Sequence, residues 1–86
     1  MSTLVLRTEP HAIDVAVTSR VLRVTLDDGR ELSVPVEWFP RLRDASAAAR
    51  ANWRLIGRGE GIHWPDIDED ISILGLLAGH HQTRAA

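Results

Sequence analysis

The segment "GIHWPDIDED", residues 61–70, is the part of the chain richest in side chains able to do chemistry. It holds one imidazole, one indole and four carboxylates. Asp66, Asp68 and Asp70 alternate, with Glu69 between the last two. That spacing matches the opening D-x-D-x-D of a calcium loop, which must continue with a glycine for its sharp turn and end on a bidentate glutamate. Ile71 and Leu77 stand at those positions, so the calcium reading fails. His63 with Asp66 offers two zinc ligands and His80-His81 two more, but without a recognised ligand spacing. No metal and no cofactor are expected.

Acid–base catalysis is weakly supported. Paired carboxylates matter where burial or proximity splits their proton affinities, and carboxylates in a turn are ordinarily solvated. No nucleophile elbow is present, and "GRGEG" at 57–61 lacks the Lys and following Ser/Thr of a phosphate loop. The chain is expected not to be an enzyme, with no catalytic residue.

The elements that would position this segment follow from periodicity. Ile13, Val15 and Val17 alternate with other residues, as do Leu22, Val24 and Leu26, and then Leu32, Val34 and Val36. A period of two marks half-buried antiparallel strands. Asp28-Gly29 predicts a tight two-residue hairpin turn between the second and third runs. Pro35 lacks a ladder donor, so the third strand should have an open edge near its end. Trp38 and Phe39 are expected core anchors, with Pro40 holding Phe39 extended.

"DASAAARANWRL" predicts a helix capped by Asp44 or Ser46. Ala45, Ala49, Trp53 and Ile56 would share one face, and Arg50 and Arg54 would lie one turn apart on a neighbouring face. Gly57, Gly59 and Gly61 would end it in a flexible turn. "GIHW" reads as a strand stopped by Pro65. "SILGLLAG" reads as a closing helix capped by Asp70 or Ser72, with Ile73, Leu74 and Leu77 buried. The expected fold is α+β: a small antiparallel sheet of about five strands with two helices, in order β-β-β-α-β-β-α.

Eighty-six residues make one domain, with an ordered core over about 12–79 and a polar tail at 80–86. The chain contains no cysteine, which excludes disulfides and thiolate zinc sites. No stretch is apolar enough to span a bilayer, and "MSTLVLRTEPHA" lacks the features of a signal peptide. A cytoplasmic location and no membrane partner are expected.

The net charge of −2 argues against a dedicated nucleic-acid binder, although its distribution is uneven. Arg41, Arg43, Arg50, Arg54 and Arg58 are opposed only by Asp44 within their stretch. Glu60, Asp66, Asp68, Glu69 and Asp70 follow without a basic residue. Mutual cancellation of the two blocks is favoured over a free basic face. The alternative, a DNA-binding transcriptional regulator, would use Arg50 and Arg54 and need a dimer or a partner. Protein recognition through an open sheet edge and charged faces is the stronger expectation. The candidate contacts are Arg41, Arg50, Arg54, Asp66, Asp68 and Glu69. At least two of Trp38, Trp53 and Trp64 are expected to be mainly buried.

"LDDGRELSVPVEWFPRL", followed by "RANWRLIGRGEGIHWPDIDEDISILGLL", resembles the bacterial family catalogued as domain of unknown function 2442. That family's pattern carries a "DGR" hairpin, "VP", "WFPRL", "NW", then G-x-G-I-H-W-P-x-x-D-E-D-I-S and "GLL", and the likeness spans about residues 13–79. It implies a small α+β domain without an established enzymatic activity. Its members often sit beside genes of another uncharacterised family, domain of unknown function 4160, in pairs resembling toxin–antitoxin modules. By that resemblance the chain would be the antitoxin-like member, and its partner a small protein encoded by the neighbouring gene. Some relatives are fused to a helix-turn-helix segment. This chain ends too soon to contain one, so operator binding by the chain alone is not expected. The resemblance carries over no functional residues.

Overall fold

The structure, a computed structural model, describes residues 9–79. The expected polar tail and His80-His81 lie outside the described residues. The first sheet runs β1 (Ala12–Val17), β2 (Val21–Leu26) and β3 (Glu31–Pro35), antiparallel in that spatial order. Leu22, Val24, Leu26 and Val34 face inward and are buried, as their alternation requires. Thr18 Oγ1 accepts from the N–H groups of Arg20 and Val21, which fixes the β1–β2 turn.

Two local expectations need correction here. A bulge between Ala12 and Asp14 turns Ile13 outward, 57% exposed, and buries Ala12 in its place. One inserted residue inverts the facing of everything before it. The β2–β3 turn is also a residue longer than expected. Gly29 N donates to Leu26 O and Leu26 N to Arg30 O, and Gly29 alone takes positive φ (96°), closing a three-residue loop with a glycine bulge.

Pro35 sits where a proline does least damage. Leu26 N donates to Arg30 O and Val36 N to Arg20 O, so residues 30, 32, 34 and 36 turn their backbone groups toward β2. Glu31, Ser33 and Pro35 therefore face the open edge of β3, and the missing N–H falls there. A 3-10 turn over Val36–Trp38 and the short helix α1 (Pro40–Arg43) then carry Phe39 and Leu42 into the core.

Helix α2 spans only Ala47–Ala51, capped by Ser46, whose Oγ accepts from Ala49 N at 3.1 Å. The expected longer helix does not form. Asn52 closes it, and Arg54–Ile56 becomes strand β4, pairing with β5 (Gly61–Trp64) and through it with β6 (Glu69–Ser72). Intrinsic helix preference yields here to a half-buried strand that packs Leu55 against Ile62 and Ile71. The architecture is thus α+β with two three-stranded antiparallel sheets and three helices, not one sheet of five strands with two helices.

The inner faces of both sheets share one core containing Val15, Leu22, Val24, Phe39, Leu42, Ile62, Trp64 and Ile71. Trp64 is fully buried, while Trp38 and Trp53 are partly buried and pack against the core cluster. The closing helix α3 (Ile73–Leu77) is capped by Ser72 Oγ, which accepts from Gly75 N at 3.0 Å. It buries Ile73 and Leu76, whereas Leu74 and Leu77, expected inside, are 52% and 39% exposed. Because the helix starts one residue after β6, the sheet dictates which of its faces turns inward.

Candidate functional site

Strand register creates the candidate site. In the second sheet, Arg54, His63 and Asp70 stand in one cross-strand row, and Ile56, Gly61 and Ser72 in the next row on the same face. Leu55, Ile62, Trp64 and Ile71 point the other way into the core, so this polar row looks outward. His63 Nδ1 meets Asp70 Oδ1, with side-chain exposures of 25% and 66%. Arg54 is exposed and, among the described residues, has no hydrogen-bond or ion-pair partner. Gly61 leaves room for Ile56, whose Cδ1 would lie 3.2 Å from a Cβ added there.

The β5–β6 turn flanks this face. Residues 65–68 form it, with Asp68 at φ 53°. Asp66 and Asp68 are both exposed, and Asn52 Nδ2 donates to Asp66 Oδ2 at 3.1 Å. Arg41 reaches across from α1 and donates through Nη1 to Asp68 O at 2.8 Å. The Arg-rich and acidic stretches therefore meet, but through a backbone carbonyl. Arg43 pairs with its own neighbour Asp44, which lowers the carboxyl's pKa and raises the guanidinium's.

Two of the expected contact residues, Arg50 and Glu69, are engaged inside the fold. Arg50 donates through Nε to Leu42 O (3.0 Å) and through Nη2 to Arg43 O (2.7 Å), closing the C-terminal end of α1. Its own carbonyl accepts from Trp64 Nε1 at 3.1 Å. Glu69 points inward beside Trp64 and Ile71 and is 2% exposed, so it is not part of an outward acidic face. Arg50 and Arg54 share no helix, which removes the paired presentation expected for a nucleic-acid contact.

His63 meets Asp70 and not Asp66, and no group of three or more His, Asp or Glu side chains able to hold a metal ion occurs among the described residues. A carboxylate that fixes Nδ1 orients the ring and leaves Nε2 for an external group. An open depression at the β2–β3 turn, lined by Glu9, Pro10, Asp27 and Asp28, contains none of these residues.

Sequence reasoning missed the His63–Asp70 pair and the row containing Arg54. Its signal was present: "RLIGRGEGIHW" and "IHWPDIDEDIS" each place short apolar-alternating runs around a four-residue turn, the pattern of consecutive hairpins. The glycine turn is also firmly docked. Ala12 N donates to Gly59 O at 2.8 Å and Ile73 N to Glu60 O at 2.9 Å, tying the two sheets and α3 together.

Among the described residues, no helix is long and apolar enough to cross a membrane. The family model described as "Protein of unknown function (DUF2442)" matches residues 12–82. A comparison with curated proteins returns no match. Among solved structures, the chain is similar to a crystal structure of a protein of unknown function from Rhodospirillum rubrum. That likeness has 30% identity and a TM-score of 0.76, covering 90% of this chain and 95% of the other. A solution NMR structure of an uncharacterised protein from Chromobacterium violaceum shares the fold at 23% identity and a TM-score of 0.72, covering 85% and 69% of the two chains.

Proposed function

The chain belongs to the DUF2442 family of proteins of unknown function, and from that premise we propose that it is a non-catalytic, cytoplasmic protein-interaction module. Its partner is a small protein encoded by a neighbouring gene, and the chain is the antitoxin-like member of the pair. The outward row Arg54–His63–Asp70 carries this reading. It offers a guanidinium, an oriented imidazole and a carboxylate side by side on the outward face of a three-stranded sheet. Charged groups laid out across a sheet face suit a macromolecular partner of complementary charge. Asp66, Asp68 and Arg41 extend the charged surface along the adjoining turn and α1.

Co-expression with the product of the adjacent gene tests the proposal. The two should co-purify as a stable complex, and this chain should relieve any growth defect its neighbour causes. Arg54→Glu should weaken the complex about tenfold without altering the melt, because Arg54 has no partner to lose among the described residues. A neighbour that neither binds nor harms the cell would sink the proposal.

A further inference from the structure

The charged row of the second sheet has a property that a generic docking face lacks: it is complementary to itself. Arg54 lies on one outer strand, Asp70 on the other, and His63 between them, all at the same level along the strands. A two-fold axis parallel to β5, running above His63, places β4 of one copy over β6 of the other. Arg54 of each copy then stands over Asp70 of its mate, and the two His63 rings face each other on the axis. Neither a two-fold axis across the strands nor a simple translation brings opposite charges together in this way. Inclining the axis by about 15° to β5 gives the usual angle of about 30° between packed sheets and leaves both pairs within reach of a long arginine side chain.

We infer that this face pairs two copies of the chain around that axis, forming a symmetric dimer held by reciprocal Arg54–Asp70 contacts. The inference rests on the reading of this face as a protein-docking surface and names a second copy as its occupant. Three observations support it. Arg54 is exposed and, among the described residues, unpartnered although Asp70 lies only two strands away. Asp70 uses one oxygen on His63 and is 66% exposed, so its carboxylate can accept a guanidinium as well. Ile56, 42% exposed, lies in the neighbouring row and would cover Ser72 and Gly61 of the mate. Closed two-fold symmetry is the common outcome for a self-complementary patch.

Three strands span only about 10 Å across, so the buried area is well below the roughly 800 Å² per partner of a standard interface. The dimer is therefore weak and concentration-dependent, and a tighter heterologous partner can displace it.

Charge exchange provides the test, read by sedimentation of the full chain across a concentration series. Wild type should show a monomer–dimer equilibrium. R54D alone and D70R alone should each weaken it about tenfold or more, because both replace attraction with repulsion. Mixing R54D with D70R should restore association, since each variant then supplies the charges the other lacks. A second measurement avoids dependence on the folding of D70R. The chain has no native cysteine, so H63C should form an intermolecular disulfide on oxidation, whereas S33C on the first sheet should not. A wild type that stays monomeric throughout, a mixture no tighter than the single variants, or equal cross-linking at both cysteine positions overturns the inference. If such a monomer still co-purifies with the neighbouring gene product, only the self-pairing falls. Loss of both interactions removes the docking reading as well.

Discussion

Asp70 holds the Nδ1 of His63 across the β5–β6 ladder, fixing an imidazole on the outward face of the second sheet. In the neutral ring this arrangement puts the proton on Nδ1 and leaves Nε2 as the acceptor, the less usual tautomer in water. Long-range nitrogen–proton NMR at neutral pH should show the Nδ1–H form for His63, and D70A should return it to the common tautomer. A double-mutant cycle with H63A should give a coupling of about 0.5 kcal/mol, at the modest end because Asp70 is 66% exposed. An unchanged tautomer in D70A would show that the contact does not orient the ring.

Arg50 and Arg54 should behave oppositely on truncation. R50A removes two donors from the carbonyls that end α1 and should lower unfolding stability by about 1–2 kcal/mol. R54A removes an exposed guanidinium that has no partner among the described residues and should stay within about 0.5 kcal/mol of wild type. Urea titration of both variants measures this, and equal effects would contradict the placement of Arg50.

Gly59 and Gly29 both have positive φ, at 103° and 96°, yet only Gly59 is crowded. A Cβ on Gly59 would run into the backbone of Ala12, whose N–H bonds Gly59 O, while a Cβ on Gly29 meets nothing. G29A should therefore cost about 1 kcal/mol for the backbone alone, and G59A at least about 2 kcal/mol because the link between the sheets must shift. Thermal melts of the two variants decide the order.

Acid should weaken the fold through named carboxylates. Glu60 lies below its ordinary 4.5, chiefly because it accepts from Arg58 N–H. Asp28 and Asp44 lie below 3.8, held by Arg30 N–H and by the Arg43 side chain respectively. A carboxylate with a lowered folded pKa stabilises fully above its unfolded value, and that contribution is lost as pH falls through the folded one. Denaturation midpoints should therefore be flat above about pH 5 and fall below about pH 4. The slope should be shallow and reduced by salt, because all three groups are exposed. E60Q keeps an acceptor for Arg58 N–H and should remove part of the slope, and an unchanged profile would exclude Glu60 as a contributor.

Much of this molecule was legible from residue order. The period-two runs at Leu22, Val24 and Leu26 and at Val34, the glycine at the β2–β3 turn, the Ser46 and Ser72 caps, and Pro35 on an open edge all follow from backbone sterics and alternation between neighbours. These are short-range effects, written within a few residues, and the family motif along residues 61–72 belongs to the same kind of information.

Long-range packing settled the rest. A bulge at Ile13 reversed its facing, and pairing with β5 converted Arg54–Ile56 from an expected helix into a strand. Burial turned Glu69 inward, and the C-terminal end of α1 drew in Arg50. The row that brings Arg54, His63 and Asp70 together joins positions nine and seven residues apart through two ladder registers. The hairpin pattern around the two four-residue turns is local, but registers depend on which side chains the shared core accepts, so only packing fixed those three groups in one row.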